Sequence, residues 1–310
     1  MLYQRALRMA AAISALLTLV AQPVVAKSFG EWSPAQSLES LPGSSSQVNT
    51  EFLDGCPIQS PDGLSLYMAT TRPGGLGGID IWVANRSATG EGFGTPVNLG
   101  APVNSAADDF CPTPVRGKGL FFVSRRAGGC APNSADMYFA RLNPTHGWTT
   151  PAHLGCTVNS TGDEFSPSYV EENGVGVLYF SSNRSGNHDI YRSTQRPDGA
   201  FGPPDPVAEL NSAANEFRPN VRKDAREIVF DSDLPGGLGA TDIYAAARSS
   251  VDEPWSTPVN LGPAINSPAG ESRASLSWDG TTLLFGSTHP DGEGSSDIYF
   301  STRDELTGQP

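Results

Sequence analysis

Residues 158–191 read VNSTGDEFSPSYVEENGVGVLYFSSNRSGNHDIY. Two runs rich in β-branched and aromatic residues flank the turn signal ENG, and a third run opens at Asp189-Ile190-Tyr191, the pattern of consecutive antiparallel strands. The pieces of this stretch recur along the whole chain. The strings DIW, DMY, DIY, DIY and DIY begin at Asp80, Asp136, Asp189, Asp242 and Asp297, spaced 56, 53, 53 and 55 residues apart. A V/L/I-N-S/T step keeps the same beat at Asn49, Asn104, Asn159, Asn211 and Asn266. A fixed period of tens of residues marks a repeat architecture, in which each unit buries its apolar faces against its neighbours.

Each period holds four short strand-like segments separated by turn residues, which is the composition of a propeller blade. Labelled A to D from the axis outward, the A–B turns are SPDG, RGKG, ENG, KDA and SWDG. The ends of the chain set the blade number. Glu31–Leu38 (EWSPAQSL) matches Pro254–Leu261 (PWSTPVNL), a strand D, whereas the last unit supplies only strands A to C. The N-terminal segment therefore completes the C-terminal blade, and a ring closed in this way leaves no unpaired sheet edge at the seam. The expected fold is all-β: one five-bladed β-propeller of four-stranded blades over residues 27–310.

The combination N-L-G-x-x-[VI]-N-S, a nearby acid, x-P, D-G-x-x-L-Y-F-S-S-x-R-x-G-G and D-I-Y resembles the WD-like propeller repeat of the TolB type. Blade 3, with VNSTGDEFSPS and VLYFSSNRSGNHDIY, carries it well. The resemblance implies the fold, and it implies an envelope binding role. It does not extend to the separate N-terminal domain of TolB, because the repeats begin at once. Function lives in sites grafted onto such folds.

Arg5 and Arg8, an apolar run from Met9 to about Val25 and the small residues before Lys27 describe a secretory signal peptide over residues 1–26. The apolar run is shorter than the roughly 20 residues of a membrane span, so periplasmic or secreted localisation without membrane insertion is expected. A net charge of −13 argues against nucleic acid, which demands a basic surface. An envelope protein or a glycan remains as partner, and no cofactor is indicated.

Four cysteines in an exported chain pair more often than not. Cys130 falls in the B–C loop of blade 2 and Cys156 in the D–A connection leaving it, so both emerge on one rim and are expected to bond. Cys56 and Cys111 occupy one column on adjacent innermost strands and form the second expected pair.

Asp54, Asp109, Glu164, Glu216 and Glu271 share a column at the start of strand A. This ring of carboxylates can serve a ligand or can build the blade, and recurrence in all five copies favours construction. The last strand B column reads Arg72, Arg126, Arg184, Leu234 and His289, whereas the column two residues after the acid reads Cys56, Cys111, Ser166, Arg218 and Arg273. Each blade thus holds one arginine across the two columns, which suggests that both positions deliver a guanidinium to the same carboxylate. Blades 4 and 5 become the odd sector, and Asp109, Glu164, Glu216, Arg218, Glu271, Arg273 and His289 are the ligand-binding candidates. The histidines His146, His153, His188 and His289 show no metal-ligand spacing, and no nucleophile elbow or zinc-protease motif occurs.

Two functions fit. One is a non-catalytic binding or scaffold propeller of the envelope. The other is a carbohydrate-active enzyme, a glycosidase or polysaccharide lyase, using carboxylates at the funnel of the channel.

Overall fold

The structure, a computed structural model, describes residues 28–306; the expected signal peptide lies outside the described residues. Five four-stranded antiparallel sheets stand in a ring. Their strands A are Asp54–Gln59, Asp109–Val115, Glu164–Glu172, Glu216–Val221 and Glu271–Leu276. Each strand A packs on the next, and the fifth returns to the first. Strands B (Ser65–Thr70, Gly119–Ser124, Val175–Ser182, Glu227–Ser232, Thr282–Ser287) and C (Asp80–Asn85, Asp136–Ala140, Asp189–Thr194, Asp242–Ala247, Asp297–Thr302) follow outward. No helix among the described residues is long and apolar enough to cross a membrane.

The ring closes as its ends imply. Gln36–Ser37 pairs with the last strand C, Gln36 opposite Phe300 and Ser37 opposite Tyr299. Beyond it, Ser28–Phe29 pairs with Glu305–Leu306. Period-2 alternation of apolar residues sends one face of every blade into a core shared with the next blade. Five such cores result, exemplified by Leu178, Phe180 and Tyr191 against Phe121 and Met137, and by Leu284 and Ile298 against Leu66 and Met68. Trp255 is buried between blades 3 and 4, edge-on to Tyr179.

The asparagine of each period copies a backbone group. Asn104 accepts from the Ile81 amide (2.9 Å) and donates to its carbonyl (2.8 Å), fastening the D–A connection to the preceding strand C. Asn49, Asn159, Asn211 and Asn266 hold Ile298, Met137, Ile190 and Ile243 in the same way. A buried polar side chain persists in such a core because both its groups are satisfied.

Cys130 and Cys156 are bonded, with Cα atoms 5.7 Å apart. Their separation of 26 residues predicts about 3–4 kcal/mol of stabilisation from the chain-entropy model. Urea unfolding of the oxidised wild type against Cys130→Ser/Cys156→Ser checks this figure; a difference below about 1 kcal/mol would mean that the reduced chain is already held by blade contacts. His153 lies beside the bridge, its Nε2 3.8 Å from Cys130 Sγ. With both sulfurs committed to each other, that cluster offers one ligand nitrogen only.

Candidate functional site at the mouth of the axial channel

The acids at the start of strand A are construction elements. All five are buried, and each is gripped by the Ser or Thr that follows the period's asparagine. Ser105 donates its amide (2.6 Å) and hydroxyl (2.7 Å) to Asp109, and Ser267 gives its amide to Glu271 at 2.8 Å. In blades 1 to 3 an arginine completes the pocket: Arg72 to Asp54 at 2.5 Å, Arg126 to Asp109 at 2.6 Å and Arg184 to Glu164 at 3.1 Å. Each guanidinium also covers the aromatic ring of its own DIW, DMY or DIY string. Leu234 and His289 take that slot in blades 4 and 5. There His289 lies near Tyr299 and Asp291, on the side of strand C rather than in the channel.

Arg218 and Arg273 do not replace the missing arginines, contrary to the exchange that the columns suggest. Glu216 and Glu271 are left with serine partners alone: Ser212 for the first, Ser267 and Ser287 for the second. Burial raises the Glu216 carboxyl above the usual range against the pull of Ser212, and it does the same to Glu164 against Ser160.

The reason is a bulge. In every strand A the pairing with strand B slips two residues after the acid. There Cys56, Cys111, Ser166, Arg218 and Arg273 adopt φ of 48°, 48°, 49°, 49° and 58°. Bulges re-aim side chains, and this left-handed turn directs all five at the axis, away from the acid. Proline follows in four blades (Pro57, Pro112, Pro167, Pro219) and Ala274 in the fifth, which suits a point where the ladder is broken.

The five residues line a constriction of about 30 Å³. Asp231, buried on strand B of blade 4, sets its charge. It accepts from Arg218 Nε at 3.0 Å and from the Arg273 backbone amide at 3.0 Å. Burial works against the Arg218 charge, but Asp231 outweighs it and holds the guanidinium above its ordinary pKa. Arg273 has no carboxylate partner among the described residues, and its buried Nε makes no hydrogen bond. Its side chain lies over Gly55, where a Cβ would stand 2.7 Å from Nη1; blades 2 to 4 carry phenylalanine in that column.

Outside the constriction a cavity of about 280 Å³ opens, lined by Arg273, Arg125, Asp108, Phe110, Phe165 and Cys56 among others. An aromatic arc runs around this mouth. Phe110 and Phe165 are 5.9 Å apart between centroids, and His188 is held between Phe165 (5.0 Å) and Phe217 (4.8 Å). Burial lowers the His188 pKa below its ordinary value, and its Nδ1 has no partner. Asp163 forms a two-point ion pair with Arg125 at 3.0 and 3.1 Å. On the opposite rim Trp278 sits beneath Arg116 and Lys223, so that turns of three different blades meet across the axis.

Of the candidates read from the sequence, Arg218 and Arg273 line the constriction. Asp109, Glu164, Glu216 and Glu271 are buried beside it, and His289 is on the outer side. Cys56 and Cys111 are free thiols packed in one cluster, a correction to the expected second disulfide. Asp231 was missed, although its column otherwise reads Ala69, Val123, Ser181 and Gly286; a lone acid among small and apolar residues was the available signal.

No protein-family model matches the chain, and no curated protein matches it in sequence. Solved structures do. An α-L-arabinofuranosidase of Podospora anserina is similar with a TM-score of 0.53 at 14% identity, over 89% of this chain and 97% of that one. A xylan β-1,4-xylosidase of Bacillus halodurans gives 0.55 at 15% identity, over 86% of this chain and 55% of the enzyme. A putative TolB of Agrobacterium tumefaciens gives 0.50 at 13% identity, over 91% and 100%. Glycoside hydrolases score above the TolB propeller, a correction to the expectation that the TolB-type envelope scaffold is the reading the fold favours. At these identities what the chain shares with all three is its fold, a five-bladed β-propeller.

Proposed function

We propose that this chain is a carbohydrate-active enzyme that takes an acidic, carboxylate-bearing saccharide at the mouth of the axial channel. The observation that carries this reading is Arg273: a guanidinium beside a 280 Å³ cavity with no carboxylate of its own. Aromatic faces next to an unpaired cation suit a sugar ring bearing an acid group. The similar α-L-arabinofuranosidase and xylan β-1,4-xylosidase support the carbohydrate part of the proposal. The TolB structures share the fold, which bears on the blades and not on the chemistry.

For hydrolysis by a pair of carboxylates about 5–10 Å apart the cavity wall offers half-buried Asp108, whereas the column acids are buried and Asp163 is committed to Arg125. β-Elimination fits the free groups better. Arg273 would neutralise the uronate carboxylate, which acidifies the adjacent C5–H. His188, stacked on Phe165 of the cavity wall, is the proton acceptor this reading assigns. Loss of that proton, formation of a C4=C5 double bond and departure of the O4 substituent, which takes up a proton, would cleave the chain.

The test is a panel of soluble polyuronates and neutral arabinoxylan, followed by reducing-end release and by the ultraviolet absorbance of the conjugated C4=C5 product. Arg273→Gln is expected to weaken binding of an acidic oligosaccharide by about 1.5–3 kcal/mol, or ten- to a hundredfold in Kd. Equal action on neutral and acidic glycans, or an unchanged Kd in the variant, would remove the acidic-saccharide reading. Reducing ends without ultraviolet absorbance would replace elimination by hydrolysis.

A further inference from the structure

The constriction below that mouth holds a pair of thiols that the saccharide chemistry does not use. Cys56 and Cys111 stand on strands A of neighbouring blades with the same φ of 48°, and both side chains line the axial constriction. Both are buried, and they share one apolar cluster and line one constriction. The remaining members of the ring are Ser166, Arg218 and Arg273. Asp231 balances Arg218, and nothing acidic balances Arg273.

The two thiols are unequal in a way that this layout explains. Burial pushes Cys111 up, but the neighbouring Cys56, the Arg273 charge, the Ser166 hydroxyl and Arg218 outweigh it and bring its pKa down to about 7. Cys56 is raised well above its ordinary value by burial and by Cys111. Cys111 is thus the more readily ionised of the two sulfurs. That is the arrangement of an attacking and a resolving cysteine.

We propose that Cys56 and Cys111 form a redox-active dithiol in the axial channel, oxidised by hydrogen peroxide to an intramolecular disulfide. The space selects the oxidant. Cys111 lines the constriction of about 30 Å³ and not the cavity outside it, so a small oxidant reaches its sulfur more readily than a peptide disulfide does. The Cys111 thiolate attacks one peroxide oxygen; an S–O bond forms, the O–O bond breaks, and hydroxide leaves with a proton as water. The sulfur of Cys56 then attacks the sulfur of the Cys111 sulfenic acid, an S–S bond forms, and the second oxygen leaves as water with the Cys56 proton. Two electrons pass from the cysteines to the peroxide, which becomes two waters.

The protein, reduced and desalted, is treated with hydrogen peroxide or with oxidised glutathione, and non-reducing peptide mapping follows each pair. Peroxide is expected to join Cys56 to Cys111, and oxidised glutathione to leave that pair open while it can still close Cys130–Cys156. Serine already occupies this backbone position at Ser166 (φ 49°), so the serine variants should fold. Cys56→Ser is expected to halt at a sulfenic acid on Cys111 that a dimedone probe captures, and Cys111→Ser to give no capture at Cys56. Arg273→Gln should slow capture at pH 7 by up to ~10-fold, the change in thiolate fraction that one pKa unit brings. A Cys56–Cys111 bond formed as fast with glutathione as with peroxide, equal labelling of both cysteines, or an unmodified pair after peroxide would each overturn the proposal.

Discussion

Deletion of residues 28–42 is expected to abolish cooperative unfolding of the whole ring. The segment contributes more than strand D of blade 5. Leu38 is buried in the core between blades 5 and 1, and Leu41 packs against that core. Trp32 and Ala35 pack on the core between blades 4 and 5. Phe29 lies against Arg222 and Arg303, and Trp32 against Arg303 as well. At about 1.5–3 kcal/mol for a fully buried large apolar side chain, with Leu38 fully and Phe29, Trp32 and Leu41 partly buried, these contacts amount to roughly 4–8 kcal/mol. That is comparable with the roughly 5–15 kcal/mol that holds a typical domain together. The deletion also exposes the edge of Asp297–Thr302, a template for pairing with other chains. Size-exclusion chromatography and urea unfolding check the expectation. A monomer with an unchanged midpoint would mean that the seam contributes nothing to closure.

Asp231→Ala should be the most damaging single change near the channel, at about 3–5 kcal/mol. Removing one partner of a buried ion pair leaves the other charge uncompensated. Here the orphan is Arg218, and the Arg273 backbone amide loses its acceptor as well. The double variant Asp231→Ala/Arg218→Met removes both charges and should recover much of the loss, because the two effects are coupled through one contact. Midpoints of urea unfolding for the two singles and the double decide it. Strict additivity would show that Arg218 does not depend on Asp231.

The architecture was legible because three independent signals carry it. The DIY period sets the blade, the V-N-S/T step sets the clamp between blades, and the match of Glu31–Leu38 to Pro254–Leu261 sets the seam. Each depends on backbone hydrogen bonding and alternation, which one sequence expresses locally. The Cys130–Cys156 bond was legible for the same reason, since it needs only strand order. The channel was harder. The counted arginines of the two columns invited a common role, but φ of 49° at Arg218 sends its side chain to Asp231 and not to Glu216. Column alignment shows where a residue sits along a strand; it does not show the hand of the backbone there. The prolines after the ring residues were the visible trace of the bulge. Phe110, Phe165 and Phe217 were equally visible as a column, yet their meeting with His188 depends on the tilt of neighbouring blades.

The bulge has an evolutionary meaning. Thiol, hydroxyl and guanidinium side chains all occupy it here with φ within 48–58°, so the backbone takes the same course whatever it presents. Side chains at these five sites point into an axial space, whereas the blades are held by other residues: the asparagine clamps, the serine-capped acids and the interblade cores. Selection can therefore rewrite the contents of the channel one position at a time without renegotiating the fold, and relatives of this chain can diverge in chemistry while remaining superimposable.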